Sequence, residues 1–370
     1  MLIGNRRSVS PDRVGAGSPV TVQLVLTNRS RLPTTRLMLE DRLPAQLPGQ
    51  ARFVLDPLAG RESRTVTYRL PHLPRGRYRV GPLQVRLTDP FGLVDIRRSF
   101  SATDEFVVRP IVESLPDMTV PLSHDLGDDA GSHSVGTHGA DDASTREYRV
   151  GDDLRKIHWR STARTGTVMV RQEERPWQGR VSVVLDLRAV AHAESAAPGR
   201  VEDERGRSSL EWAISAAASI GTHLLMSGRS LDLLDDPGGS GIRRLPDPGS
   251  LTDHLAVVTP ARATSLVGAS PAIAGAARQS ALVAILGEVD PQTLRLLVGA
   301  HPRGTTAPAV ALLLDTATWR AEGGHAGGTA HRSARALATA GWRTAVVRRG
   351  TTVAEAWTQA LQADPVGVRA

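Results

Sequence analysis

The second half of this chain alternates short apolar runs with longer stretches in which apolar residues recur at helical spacing. Residues 181–185 form an apolar run, as expected of a strand buried on both faces of a parallel sheet. Leu and Ala recur at helical spacing over residues 210–225, and Gly228 is well placed to end that helix. Further strands are predicted at 230–234, 281–286, 310–314 and 344–347, and helices at 291–298, 332–340 and 353–361. This pattern predicts a doubly wound α/β domain.

The first 110 residues show a different period. Val20, Val22, Leu24 and Leu26 alternate with polar residues, which predicts a strand with one buried face. Similar alternation recurs at 66–70 and 83–87, with Pro-, Gly- and Asn-containing turns between the runs. Short strands at this spacing predict an immunoglobulin-like β-sandwich over residues 1–110. Such a sandwich either offers a docking surface or serves as a structural module.

Between the two patterns, residues 111–145 are rich in Asp, Gly, Ser and His, which predicts a flexible linker. His124, His133 and His138 lie near aspartates there and invite comparison with a metal site. Their spacing matches no compact ligand pattern, and a flexible loop would have to become ordered around the ion. No metal and no other cofactor is therefore predicted.

The most highly charged segment, residues 146–172, follows this linker. Over residues 146–164 it carries six basic and three acidic side chains around Tyr148 and Trp159. Asp152 or Asp153 can cap a helix over about residues 154–164. Gly166 is expected to end that helix, and residues 167–171 to continue as a strand. Its arginines are planar, permanently charged groups suited to carboxylates and phosphates.

This segment resembles the signature of domain-of-unknown-function family 58. The matching residues are Arg146, Tyr148, Gly151, Asp152, Asp153, Arg155, Ile157, Trp159, Ala163 and Arg164. The resemblance implies a bacterial protein with a von Willebrand factor A-like α/β domain over residues 146–370, encoded beside a MoxR-type AAA ATPase. Members of the family are typically membrane-associated, through two spanning helices ahead of the region where this chain starts.

The von Willebrand factor A resemblance also implies a metal motif, Asp-x-Ser-x-Ser, after the first strand of the α/β domain. This sequence instead reads Asp186-Leu187-Arg188-Ala189-Val190, so Arg188 and Val190 replace both hydroxyls. At about 4 Å a divalent ion and a guanidinium repel by roughly 8 kcal/mol at an effective dielectric constant near 20. We therefore expect a degenerate metal site in which Asp186 pairs with an arginine, with Arg188 itself as the candidate.

Composition and motifs restrict the function further. The chain has no cysteine, which excludes thiol catalysis and thiolate metal sites. Phosphate-binding loops, zinc-protease helices and nucleophile elbows are missing from the sequence, so an enzyme is not predicted. No secretory signal and no apolar run of spanning length is visible, so the expected location is the cytoplasm, or a membrane surface if an anchor precedes the chain.

The charged segment has three interpretations: an internal latch that tucks Trp159 under the α/β domain, a partner-docking surface, or a binding site for phosphate or nucleic acid. Nucleic acid is disfavoured because Asp152 and Asp153 would repel a phosphate backbone. We expect a non-enzymatic adaptor that acts with a MoxR-type AAA ATPase, with client or envelope proteins as further partners. The alternative is an arginine-rich phosphate or nucleic-acid-binding module. The candidate residues for docking or latching are Arg146, Tyr148, Gly151, Asp152, Asp153, Arg155, Trp159 and Arg164.

Overall fold

The architecture was obtained as a computed structural model. It describes residues 3–44, 47, 51–71, 73–88, 95–117, 145–147, 157, 159–171, 179–194, 204–239, 241–301, 307–320 and 328–363. The change of pattern in the sequence corresponds to a change of structure: the N-terminal region is rich in β-strands, and the C-terminal region alternates strands and helices.

The described residues of the N-terminal region form three sheets, with strand orders β1-β3-β6, β2-β10-β7 and β5-β4-β8-β9. Neighbouring strands are antiparallel except for β2 and β10, which are parallel. The alternation predicted for residues 20–26 is present, since the side chains of Val20, Val22, Leu24 and Leu26 are buried. The strands are β1 (Ile3–Ser10), β2 (Arg13–Gly15), β3 (Val20–Asn28), β4 (Leu37–Asp41), β5 (Ala51–Leu55), β6 (Ser63–Leu70), β7 (Gly76–Val80), β8 (Leu83–Thr88), β9 (Asp95–Ser99) and β10 (Asp104–Arg109).

The charged segment of the sequence forms a short hairpin with a helix inside it. Strand β11 (Thr145–Glu147) pairs antiparallel with β12 (Met169–Arg171), and α1 (Trp159–Thr165) lies between them in the chain. Gly166 follows α1 with a φ of 74°, a left-handed conformation that glycine adopts without strain. The end of the predicted helix is therefore correct to within one residue.

The C-terminal region is built on one sheet with the order β15-β14-β13-β16-β17-β18. All neighbouring strands are parallel except β15, which runs antiparallel to β14 at one edge. The strands are β13 (Arg180–Leu185), β14 (Ser230–Leu234), β15 (Arg243–Leu245), β16 (Ala281–Leu286), β17 (Ala309–Leu314) and β18 (Arg343–Val347).

Helices cover both faces of this sheet, and each face has its own apolar core. One core includes Trp212, Ile214 and Trp357, and the other includes Ile273, Leu297 and Trp342. Side-chain caps fix several helix starts, as the sequence rules for N-termini predict. The helices are α2 (Glu204–Arg207), α3 (Ser209–Met226), α4 (Pro248–Val257), α5 (Ser270–Gln279), α6 (Pro291–Ala300), α7 (Ala317–Arg320), α8 (Gly328–Thr339) and α9 (Val353–Gln362).

The start of the predicted linker packs against the C-terminal region. Ser215 in α3 donates a 2.7 Å hydrogen bond to the carbonyl oxygen of Ile111, and the Glu113 amide donates one of 2.9 Å to Ser219. Leu115 is part of the α3-side core. Residues 111–117 therefore form a strap along α3, while residues 118–144 of the predicted linker, including His124, His133 and His138, lie outside the described residues. Within the described part of the chain, no helix is long and apolar enough to cross a membrane.

Candidate functional site: the carboxyl end of the sheet

The carboxyl ends of β13 and β16 lie side by side at the centre of the sheet, where the strand order reverses direction. This is the position at which doubly wound sheets open a crevice between their loops. Asp186 directly follows β13, and the segment 287–290 follows β16.

Arg188 and Asp186 form a buried, two-pronged ion pair at this position. Arg188 Nε donates to Asp186 Oδ1 at 2.9 Å, and Arg188 Nη2 donates to Asp186 Oδ2 at 2.8 Å. The side chains are 1% and 0% exposed. The Arg188 amide also donates to Asp186 Oδ1 at 3.1 Å, which closes a tight turn between the two residues. The Asp186–Arg188 pair expected from the sequence is thus present.

The remaining guanidinium hydrogens bind loops from elsewhere in the chain. Nη1 donates to Asp290 Oδ2 at 2.7 Å and to the Thr264 carbonyl oxygen at 3.1 Å. Nη2 donates to the Glu288 carbonyl oxygen at 3.1 Å. With the bonds to Asp186, these contacts occupy all five N–H donors that a guanidinium possesses. No donor of Arg188 remains for a further anion.

Asp290 has a second function as the N-cap of α6. Its Oδ1 accepts hydrogen bonds from the amides of Gln292 and Thr293, both at 2.9 Å. The Thr293 hydroxyl donates to Oδ2 at 2.5 Å. Burial raises the pKa of Asp290, but the bonds from Thr293 and Arg188 outweigh it and lower the pKa below its usual value. Asp290 is therefore held as a carboxylate.

His192 contacts the loop after β13 through its imidazole ring. Its Nε2 lies 2.7 Å from the carbonyl oxygen of Asp186, so Nε2 carries the proton and donates it. Nδ1 lies 3.1 Å from the Ser209 hydroxyl, the first residue of α3. Burial lowers the pKa of His192 despite the nearby carboxylate of Asp186. The imidazole is therefore a neutral brace between the loop and α3.

A divalent cation does not fit among these residues. The position that such an ion would share with Asp186 and Asp290 holds the guanidinium of Arg188, which is permanently charged. Burial lowers the pKa of Arg188, but its bonds to Asp186 and Asp290 outweigh that effect and raise the pKa above its usual value. Within the described ranges of the chain, no group of three or more His, Asp and Glu side chains could hold a metal.

The charged segment presents an indole to solvent. Trp159, the first residue of α1, is 70% exposed, and Arg164 near the helix end is exposed as well. The latch interpretation required the Trp159 side chain to be buried under the α/β domain, and this side chain is exposed instead. Met169 of β12 is tied to α1 by a 3.0 Å bond from its amide to the Thr162 hydroxyl. The bonds of Arg188 involve neither Trp159 nor Arg164.

Among the other candidate residues of the charged segment, only Arg146 lies within the described residues. Arg146 lies in β11 opposite Val170 of β12, so its backbone position is defined. Tyr148, Gly151, Asp152, Asp153 and Arg155 lie outside the described residues. The start of the predicted helix was wrong: Ile157 lies in a β-bridge and α1 begins at Trp159, five residues later than expected. Asp152 and Asp153 are therefore too far along the chain from the first turn of α1 to be its N-cap.

Several residues that organise this part of the molecule were not anticipated from the sequence. Asp290 could have been recognised as a cap, because Pro291 follows it at the first helical position. Its contact with Arg188 carried no local signal, since the two are 102 positions apart. The same holds for Glu113, whose carboxylate accepts bonds from the Val353 and Ala354 amides at the start of α9.

Comparisons with known proteins identify one region of the chain. An alignment 174 residues long, covering 45% of this chain, is 25% identical to the uncharacterized protein YeaD of Bacillus subtilis and spans 44% of that protein. The solved structures matched include the CARDB domain of a Pyrococcus furiosus protein, at a TM-score of 0.21 with 13% identity over 29% of this chain and 91% of that one. Spo0M of Bacillus subtilis gives a TM-score of 0.18 with 11% identity, over 29% and 49% of the two chains. Neither structural likeness is strong enough to support an argument.

The family comparison covers both features described above. The model of the family described as protein of unknown function DUF58 matches residues 144–299. That range includes the exposed helix α1, the Asp186–Arg188 pair and Asp290. Residues 144–299, less than half of the chain, are thus similar to the DUF58 family.

Proposed function

We propose that this chain is a non-enzymatic adaptor that acts with a MoxR-type AAA ATPase and that its docking surface includes α1. The observation that carries the proposal is the exposure of Trp159, at 70%, inside the region that matches DUF58. Tryptophan and arginine are the residue types that most often dominate binding energy at protein interfaces. An exposed indole with Arg164 less than two turns away supplies both types on one short helix.

The fold also supports two structural parts of the proposal, a von Willebrand factor A-like domain and an immunoglobulin-like sandwich. When β13 to β18 are numbered 1 to 6 along the chain, their order across the sheet is 3-2-1-4-5-6. This doubly wound order is compatible with a von Willebrand factor A-like domain. The N-terminal antiparallel sheets, with buried alternate residues, are compatible with an immunoglobulin-like sandwich. In this proposal the sandwich positions the α/β domain relative to client or envelope proteins.

The chemistry at the carboxyl end of the sheet supports a binding role over catalysis. Asp186 and Arg188 are fully engaged with each other and with neighbouring loops. His192 donates to a backbone carbonyl and faces a serine hydroxyl, so it is not aimed at open solvent. A general acid or base needs a site for the reacting atom within hydrogen-bond reach. The described side chains here are occupied by structural bonds.

The test is co-purification from the native host with wild type, Trp159→Ala and Arg164→Ala. Met226→Ala is a matched control, because Met226 is 78% exposed at the end of α3 and outside α1. Arg278→Ala serves as the control for the loss of an exposed arginine. We expect an AAA ATPase to co-purify with wild type and both controls, and to be lost from Trp159→Ala at an unchanged melting temperature.

Other outcomes decide against this assignment. Retention of the ATPase by Trp159→Ala would show that α1 is not the docking surface. Recovery of nucleic acid without an ATPase would instead favour the phosphate-binding alternative. In that case affinity should fall by orders of magnitude between about 50 and 200 mM salt, as expected when several phosphates are neutralised. An interface centred on tryptophan should show a much weaker dependence.

A further inference from the structure

We propose that the guanidinium of Arg188 is a built-in replacement for a divalent cation. The carboxyl end of the sheet would then hold its shape, and meet any partner, independently of metal. This inference concerns the loops around Arg188 and stands apart from the identity of the partner that docks on α1.

The groups around Arg188 are those that a hard cation would choose. They are two carboxylates, Asp186 and Asp290, and two backbone carbonyls, Thr264 and Glu288. Magnesium and calcium are bound in proteins by carboxylate and carbonyl oxygens. These four groups come from three separate loops and converge on one point. A cation at that point is what holds the loops together.

The guanidinium fills the point with matching geometry. It meets the four groups through five hydrogen bonds, and the longest of them measures 3.1 Å. A planar fork with five donors can satisfy oxygens in several directions, which an ammonium with three donors cannot do equally. The side chain of Arg188 is 1% exposed, so the position is closed off from bulk solvent.

The backbone delivers the guanidinium to this point. The Ala189 amide donates to the Ala261 carbonyl oxygen at 2.9 Å, and the Ala261 amide donates to Leu187 at 2.7 Å. These reciprocal bonds hold the residues on both sides of Arg188. Because the cation is tethered to the chain, binding it costs little of the translational freedom that a free ion would lose. A dissolved metal would have to displace a covalently attached competitor.

Without a metal, the ionised side chains of the cluster sum to one negative charge. Asp186 and Asp290 supply two negative charges, and Arg188 supplies one positive charge. The remaining negative charge lies at the N-terminus of α6, where two amides donate to Asp290. The positive end of a helix dipole stabilises a carboxylate at that position. The one excess negative charge is therefore stabilised by α6 and needs no metal.

The experiment measures melting temperature with and without metal for wild type and four variants: Arg188→Ser, Arg188→Ser/Asp290→Asn, Arg188→Lys and Asp290→Asn. In wild type we expect no difference between EDTA and millimolar magnesium, calcium or manganese chloride. Arg188→Ser should melt several degrees lower in EDTA and recover part of that loss in at least one metal, since ligand binding to the folded state raises its stability. Arg188→Ser/Asp290→Asn lacks one carboxylate and should recover much less. Arg188→Lys should melt lower than wild type but show no metal response, because a cation is still present.

Two results would overturn the proposal. A metal-dependent rise in the melting temperature of wild type that Asp290→Asn abolishes would show that metal displaces the guanidinium. Failure of Arg188→Ser to respond to any of the three metals, including failure to fold in their presence, would show that these oxygens are not a cation cage. Isothermal titration with manganese chloride gives a second readout on the same proteins.

Discussion

Arg75 and Glu211 join the N-terminal and C-terminal regions through two hydrogen bonds, from Nε at 2.8 Å and from Nη2 at 3.0 Å. Arg75 lies just before β7, and Glu211 lies in the first turn of α3. Nη1 of the same arginine donates to the carbonyl oxygens of Leu255, Ala256 and Val258 at the end of α4. One side chain thus binds the start of one helix and the end of another.

Arg75→Ala is therefore expected to lower the free energy of unfolding. Removing one partner of a largely buried pair leaves Glu211 and three carbonyl oxygens without their donor, at a cost of about 2–4 kcal/mol. Urea unfolding is the measurement. Arg79→Ala is the matched control, because the Arg79–Glu105 pair is solvent-exposed and should contribute much less than the Arg75–Glu211 pair. Equal effects of the two substitutions would contradict the role of Arg75.

A second prediction concerns Glu113, in the strap that runs along α3. Glu113 Oε2 accepts hydrogen bonds from the amides of Val353 at 2.9 Å and Ala354 at 3.3 Å, and Oε1 pairs with Arg205. Glu113→Ala should expose the first turn of α9, so amide hydrogen exchange at Val353 and Ala354 should accelerate. A carboxylate at a helix N-terminus contributes roughly 1 kcal/mol, or about fivefold in exchange.

Glu288→Ala is the control for that measurement, since Glu288 has an exposed partner in Arg320. It should leave the exchange of Val353 and Ala354 unchanged. Unchanged exchange in Glu113→Ala as well would mean that the capping box of Thr352 and Glu355 is sufficient for α9.

The third prediction follows from Tyr68 in β6. The Tyr68 hydroxyl donates to Asp41 Oδ2 at 2.6 Å, and Asp41 also binds Arg7. Burial, and then the bond to Asp41, raise the pKa of Tyr68 above its usual value. The folded state therefore keeps the phenol protonated at a pH where the unfolded chain begins to lose its proton. This contribution to stability is fully present below about pH 10 and is lost as pH rises further.

Tyr68→Phe should accordingly cost about 1 kcal/mol near neutral pH, the usual net contribution of a hydrogen bond. Above about pH 10 the difference between wild type and variant should narrow, because ionisation of Tyr68 then stabilises the unfolded wild-type chain and phenylalanine cannot ionise. Urea midpoints at neutral and alkaline pH give the comparison. A constant difference across that range would be inconsistent with the raised pKa.

The fourth prediction uses His192, whose pKa is lowered by burial. The unfolded chain takes up a proton near pH 6.5, while the folded state resists it. The free energy of unfolding should therefore fall as pH decreases through about 6.5, by at most about 1.4 kcal/mol per pH unit from this group. His192→Gln should show a smaller loss between neutral and mildly acidic pH, whereas the exposed His331→Gln should behave as wild type.

The sequence predicted the C-terminal sheet because its strands are buried on both faces and read as apolar runs. The runs at 181–185 and 281–286 agree closely with β13 and β16. The edge strand β15, Arg243–Leu245, escaped prediction because three residues with two arginines show no strand period. Helix α5 escaped because its small alanine and glycine residues give a weak apolar stripe.

The site was predictable only where its contacts are local. Asp186 and Arg188 are separated by one residue. The motif Asp-x-Ser-x-Ser would have a serine at position 188, so the arginine found there indicated both the loss of a metal ligand and a charge partner for Asp186. Thr264 and Asp290 join the same cluster from 76 and 102 positions away. Those contacts depend on the order of strands in the sheet, and the chain carries no local pattern for that order.

The strap at residues 111–117 has a mechanical consequence. It is bound along α3 through Ser215 and Ser219, and Glu113 ties it to the start of α9. A force applied to the N-terminal region would act on these hydrogen bonds together, and the buried side chain of Leu115 would also resist displacement of the strap. Traction applied to one half of the molecule would therefore be transmitted directly into the helices that cover the sheet of the other half.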